Sequence, residues 1–427
     1  MASATFASLR FPNYRLWFAA ALVANVGAWA QRVGQDWIVL THLTDNSGTA
    51  VGFSVAMQFL PVLLLSPYAG VLADRLPRRR LLMTTQALMG LNSVVLAVLV
   101  LTGAVQLWHM FALALVGGCV SAIDNPVRAT FVSELVPEAN LTNAVGLNSA
   151  SFNAARLVGP GIAGLLIAAV GPGWVFAITA ATFALSITAM AAMNPRTLHL
   201  LPQAPRARGQ LREAVAYVRG RGDIQVIMLV VGVVTMFGLN FQLTSAMMAR
   251  VEFGLGPGEF GMLGSVLAVG SLAGALLAAR RKEPPRVRVV LGAALAFGIA
   301  QGVSALMPSY LTYLLLAAPI GFASLTMLTA ANAALQTSVE PAMRGRVMAL
   351  YMMMFLGGAP IGSPLVGWVG ETFGPRVAIL VGAVATLVVV VAAWTWAHRR
   401  WRVRYRVTRP ATFPQLEIVH PERELAA

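Results

Sequence analysis

The residues with the clearest chemical potential lie in the segment ANVGAWAQRVGQDWIVL, positions 24–40. Asn25, Trp29, Arg32 and Asp36 follow one another at steps of 4, 3 and 4, which sets them along one helical face. Arg32 and Asp36 form an i,i+4 pair that can neutralise itself. A carboxyl in an apolar segment is also what a moving proton needs. Removal from water penalises its charged form, a nearby guanidinium favours that form, and access to water changes the balance. Asp36 is the one acid placed well inside an apolar stretch, so Asp36 with Arg32 is the candidate proton-coupling pair. A purely structural Arg32–Asp36 pair is the alternative.

Other polar side chains sit at similar depth. Arg156 lies about fifteen residues into an apolar segment, roughly 22 Å along a helix, with Asn153 one turn before it. Arg156 can bind an anionic group on a substrate or pair with Asp36. In GFASLTMLTAANAALQTSV, Thr326, Thr329, Asn332 and Gln336 form a polar stripe; Asn240 and Thr244 lie one turn apart near Met236, Met247 and Met248. Gln58 adds an amide to the second apolar segment. Amides, hydroxyls, pliable methionines and few charges suit a bulky amphipathic solute better than a sugar phosphate, which demands several convergent bases. The competing reading makes these side chains glue between helices.

The elements that must position them follow from composition. Of 427 residues, 58% are hydrophobic and 11% charged, with a mean hydropathy of +0.73. A soluble chain of this size cannot bury that much apolar surface, so the solvent is lipid. Apolar spans of roughly 20 residues are expected at 15–41, 49–73, 81–102, 107–131, 141–170, 174–193, 223–249, 259–280, 287–307, 310–335, 344–370 and 375–397. The N-terminus shows no cleavable signal pattern, so the first span is expected to act as the insertion signal. The net charge is +15. Of the 31 basic residues, 27 fall in the N-terminus, alternate loops and the tail, and only Arg250 and Arg376 in the other loops. That asymmetry places both termini and the 194–222 loop in the cytoplasm.

The organisation is then an N-terminal six-helix half (1–193), a central loop (194–222), a C-terminal six-helix half (223–398) and a basic tail (399–427). Arg alternating with Trp, Val and Tyr in HRRWRVRYRV fits a membrane-surface anchor on anionic headgroups, not nucleic acid. The halves repeat: Gly159 matches Gly362, Gly164 matches Gly367, and Gly171-Pro172 matches Gly374-Pro375, at one constant offset. Parallel repeats of this kind are a known transporter symmetry.

The stretch GVLADRLPRRRLLM, positions 70–83, places an acid before a run of arginines between two spans. It resembles the signature loop of the major facilitator superfamily, with Gly70, Asp74, Arg75 and Arg79 in the matching places and Pro77 where a glycine is usual. NYRLWFAA, DWIVLTHLT, DNPVRATFVSELV and NAVGLNSASFNAARLVGPGIAGLL resemble the branch holding enterobactin exporters and macrolide-type efflux proteins. The resemblance implies an all-α membrane fold of twelve helices in two pseudo-symmetric bundles, with helices 1, 4, 7 and 10 lining a central cavity. It also implies a conformational latch in which Asp74 meets Arg344 or Arg346 when the halves close on the inside, and an antiporter-like helix-5 motif at Gly159, Pro160 and Gly164. Asp124, Asn125, Pro126 and Arg128 resemble a family feature read as an inner gate or cap. ARRKEPPRVRV, the counterpart of the signature loop, keeps its bases but no Asp-Arg, and reads as topological.

No phosphate loop of the G-x-x-x-x-G-K-[ST] type is present, the five histidines are scattered, and Cys119 is alone. Neither a cofactor nor a metal is expected, and no enzyme constellation converges. The expectation is a monomeric secondary transporter that exports amphipathic small molecules such as drugs or siderophore-like metabolites in exchange for protons. An importer or uniporter of the same fold is the alternative.

Overall fold

The computed structural model describes residues 4–199, 210–279, 285–401, 404–408 and 415–419, with residues 4–5, 66–75, 153, 157, 210–212, 279, 341–342, 399–401, 404–408 and 415–419 described by their secondary structure only. The described residues form twelve long helices: α1 (Pro12–Ile38, extended by a π-turn Val39–Leu43), α2 (Gly48–Arg75), α3 (Arg78–Leu101), α4 (Leu107–Phe131), α5 (Leu141–Val170) and α6 (Pro172–Ala191). The second set comprises α7 (Gly222–Glu252), α8 (Pro257–Ala279), α9 (Val287–Ala305), α10 (Tyr310–Ser338), α11 (Pro341–Phe373) and α12 (Pro375–Trp401). Each boundary falls within about one helical turn of its expected position. Eleven of the twelve are long and apolar enough to cross a membrane. The exception is α1, whose Asn13, Arg15, Asn25, Gln31, Arg32, Gln35 and Asp36 lower its hydropathy.

Two features depart from an unbroken bundle. Within the 194–222 segment an amphipathic helix, Gln210–Gly220, precedes α7, and past α12 the chain pairs Arg404–Thr408 antiparallel with Gln415–Val419. The tail residues between and beyond these strands lie outside the described residues.

The repeat read from the glycines is built into the packing. Gly159 on α5 meets α1, where an added methyl would lie 2.6 Å from Trp29 Cβ; its counterpart Gly362 on α11 meets the Met236 backbone of α7. Gly164 on α5 meets Gly261 on α8, and Gly367 on α11 meets Gly48 on α2. Gly171 (φ +85°) and Gly374 (φ +95°) end α5 and α11 in a backbone conformation that side chains resist, each followed by the proline that starts the next helix. Small residues let the helix backbones touch where no hydrophobic effect drives association.

The Gly159 and Gly362 crossings each lie within one half, whereas Gly164–Gly261 and Gly48–Gly367 join the two halves. Because helices alternate in direction, α1 begins and α12 ends at one end of the bundle, the termini end. The Gly164–Gly261 and Gly48–Gly367 contacts lie at the opposite, far end. There Trp37 also stacks on Phe260 at 5.6 Å and 15°, and Glu371 on α11 accepts from Ser47 Oγ (2.7 Å) and the Thr49 amide (2.9 Å) at the start of α2. Among the described residues, these contacts tie the two halves together at the far end.

Candidate transport site

Asp36 sits on α1, 24 residues from Pro12 and so about 36 Å along the helix, and is 1% exposed. A carboxyl at this depth survives only with partners. Its Oδ1 accepts from Ser54 Oγ (3.4 Å) and Gln58 Nε2 (3.3 Å), both on α2. Its Oδ2 accepts from Gln242 Nε2 at 3.0 Å. Gln242 belongs to α7, so the carboxyl is shared by the two halves. Local structure puts Gln242 there: α7 is broken by a π-turn, Val234–Gly238, and resumes as helix at Phe241.

The i,i+4 partner behaves differently. Arg32 makes no ion pair with Asp36 in this structure, the described salt bridges lying elsewhere. The Arg32 guanidinium instead lies 4.8 Å from the Trp29 ring centre and 5.3 Å from that of Phe59. Arg156 does not pair with Asp36 either, but reaches the same Trp29 ring at 5.7 Å. The reason is local supply: two glutamine amides and a hydroxyl already occupy the carboxylate, while aromatic faces accept the cations.

Behind Asp36, inside the N-terminal half, is a cavity of about 50 Å³ whose polar wall is Gln31, Arg32, Gln35, Gln58, Asn92 and Ser121. Gln35 Nε2 and Asn92 Oδ1 are buried there without a hydrogen-bond partner in the structure.

The remaining candidates divide. Asn25 is buried on α1, and Thr329 and Asn332 are half-buried on α10 with Gln336 exposed one turn beyond, hydrogen-bonded to Asn332. Thr326, the first member of that stripe, is buried and faces Gly274 on α8, which takes it out of the stripe. Asn240 and Thr244 are tied into the scaffold: Asn240 donates to the Met236 carbonyl (2.7 Å) and accepts from Ser363 Oγ (2.6 Å), and Thr244 donates to the Asn240 carbonyl (3.2 Å). They secure the α7 break to α11 and do not join the Asp36 cluster.

In the proposed latch, Gly70, Asp74 and Arg75 are described as helix only, and the side chains of Asp74, Arg75 and Asn153 lie outside what is described. Arg79 donates to the Met190 (2.8 Å) and Ala191 (2.9 Å) carbonyls, capping the C-terminus of α6. Arg346 pairs with Glu213 on the 210–220 helix, and Arg344 is exposed. Asp124 is 2% exposed, accepts from Thr85 (2.7 Å) and Gln86 (3.0 Å), and pairs with Arg128 at 2.8 Å. It clamps α3 to α4 within one half.

Sequence reasoning missed Gln242, Ser54 and Glu371. Gln242 carried a signal, a second side-chain amide two residues after Asn240 in an apolar span. Glu371 carried none, because its partner begins a helix 322 positions away.

Twelve long helices in two equivalent halves, with a buried carboxyl held between them, are the architecture of a transporter of the major facilitator type. The chain belongs to the transmembrane secretion effector family, whose model matches residues 3–421. It is 29% identical to the multidrug efflux pump Tap of Mycolicibacterium fortuitum, over 88% of this chain and 93% of the pump. It is 24% identical to the staphyloferrin A transporter of Staphylococcus aureus (84% and 90% covered) and 25% identical to the enterobactin exporter EntS of Shigella boydii (85% and 86%). Among solved structures, a bacterial homolog of the human lysosomal transporter Spinster superposes with a TM-score of 0.69 at 15% identity, covering 91% of this chain and 97% of that one, a likeness of fold.

Proposed function

We propose that this protein exports amphipathic small molecules across the cell membrane in exchange for protons, with Asp36 as the proton carrier. The observation that carries the proposal is the Asp36–Gln242 hydrogen bond, 3.0 Å across the two halves. An ionised Oδ2 only accepts, so it holds the Gln242 amide. A proton on the carboxyl removes the charge that strengthens this bond, and the contact between α1 and α7 weakens. Protonation thereby biases the two arrangements of the halves differently, which is what coupling requires. The relatives named as efflux pumps and siderophore transporters support outward transport and a substrate of drug or siderophore-like size.

In this reading the basic end is cytoplasmic, and the halves joined at the far end make the arrangement inward-facing. When they close at the termini end instead, Arg346 exchanges the exposed Glu213 for Asp74, with Gly70, Arg75 and Arg79 shaping that turn. An importer or uniporter built on a structural Arg32–Asp36 pair gains nothing from the geometry, because the two side chains are not paired.

The test is uptake of dyes, macrolides and catechol siderophores into inside-out membrane vesicles under an imposed pH gradient. Uptake that collapses with an uncoupler is the expected result. Uptake indifferent to the gradient contradicts proton exchange, and accumulation in right-side-out vesicles contradicts export.

A further inference from the structure

The charges around Asp36 do not balance. Arg32 and Arg156 are both at membrane depth and half-buried, and neither makes an ion pair or side-chain hydrogen bond among the described residues. The nearby acid is committed to Ser54, Gln58 and Gln242. A guanidinium cannot face lipid cheaply at this depth, and a cation stacked on a ring retains its donors for a further partner. Both guanidiniums lie over one ring, that of Trp29, at 4.8 and 5.7 Å. Phe59 sits 5.3 Å from Arg32, and Phe152, 40% exposed, packs edge-on against Trp29 at 6.4 Å. Two forked donors and three aromatic surfaces therefore converge from α1, α2 and α5 at one place.

We infer that Arg32 and Arg156, on the Trp29 platform, form the recognition site for an anionic group on the transported molecule, a carboxylate, phenolate or sulfonate joined to an aromatic or apolar body. Guanidiniums bind planar oxyanions through paired N–H donors, and the rings take the apolar body. The site disfavours permanent cations, which would meet two positive charges. This rests on the export reading for its purpose and adds the substrate class. It also has an electrical consequence: a monoanion leaving while a proton enters moves two charges per cycle, so an inside-negative potential drives export along with the pH gradient.

The test separates the site from the export reading by measuring binding without any gradient. The purified full chain in phosphatidylcholine nanodiscs is titrated calorimetrically with naphthalene-2-carboxylate and with the isosteric neutral naphthalene-2-carboxamide. The expected result is at least a tenfold preference for the carboxylate in wild type. That preference falls to within threefold in Arg32→Gln and in Arg156→Gln, and is partly kept in Arg32→Lys and Arg156→Lys, while amide binding changes little in any variant that stays monodisperse. Equal binding of the two compounds to wild type overturns the inference and needs no variant to fold. So does a preference that survives both glutamine variants. Nanodiscs containing phosphatidylglycerol give the last arm: carboxylate binding abolished by that lipid assigns the site to a headgroup and overturns the substrate reading. Proton-independent transport with the carboxylate preference intact refutes the export mechanism alone.

Discussion

Glu371 on α11 accepts a hydrogen bond from the Thr49 backbone amide at 2.9 Å, so a carboxylate from one half caps the helix that begins at Gly48 in the other. The Ser47 hydroxyl adds a second bond at 2.7 Å. A carboxylate at a helix N-terminus satisfies orphan amides and meets the positive end of the helix dipole. Here that ordinary capping interaction ties one half to the other at the far end. Glu371→Ala is expected to cost the far-closed arrangement about 0.5–2 kcal/mol. Spin labels at Trp108→Cys and Leu311→Cys, at the far ends of α4 and α10, should then report a larger share of long distances than in the parent. An unchanged distance distribution would show that the cap does not hold the gate.

The glycine crossings set a second expectation. A side chain at Gly164 would have its first carbon 2.5 Å from Gly261 Cα and from the Pro257 carbonyl, backbone that cannot step aside. Gly164→Val should therefore block far-end closure, at about 1–3 kcal/mol of overpacking, and lower transport at least tenfold while the protein still reaches the membrane. Gly146→Val on the same helix, where nothing lies within 4 Å, should transport within twofold of wild type. Equal loss in both variants would mean that valine harms α5 generally.

Two arginine ion pairs should behave unequally. Arg128 is the cationic partner of Asp124, which is 2% exposed, and removing it strands a buried charge at a cost of about 3–5 kcal/mol. Arg128→Ala should lower the melting temperature of the purified protein markedly. Arg346 pairs with an exposed Glu213, worth about 0–1 kcal/mol, so Arg346→Ala should leave the melting temperature nearly unchanged. Comparable shifts would mean that Asp124 is solvated by other means.

Gln242→Leu removes the donor to Asp36 Oδ2 without touching the carboxyl. Losing a partner for a buried acceptor costs about 1–3 kcal/mol, charged only to the arrangement in which α1 and α7 meet. The expected effect is a shift towards the far-open arrangement and a several-fold slower proton-driven flux, with substrate exchange retained. Loss of exchange as well would assign Gln242 to the substrate path.

Much of this was legible in the sequence, for physical reasons. Hydropathy and basic residues mark spans strongly, and close-packed glycines such as Gly159 and Gly362 leave a repeat because each lets two backbones touch. Asp36 stood out because acids are scarce in apolar helices. What a helical face cannot show is which neighbour reaches a side chain first. Steps of four pair Arg32 with Asp36 on paper, but Gln58 and Gln242 come from other helices and take the carboxylate. Asn240 and Thr244 read as cavity residues until the break in α7 turned their bonds inward to Met236 and Ser363. The Glu371 cap depends on a crossing that no local pattern encodes.

The central claim is that Asp36 carries the exchanged proton, and proteoliposomes loaded with a pH-sensitive dye test it most directly. With no initial pH gradient, an imposed gradient of transported substrate should drive protons in the opposite direction in wild type. In Asp36→Asn that proton movement should vanish while gradient-free exchange of labelled substrate continues. Substrate-driven proton movement persisting in Asp36→Asn at the wild-type rate would contradict the account.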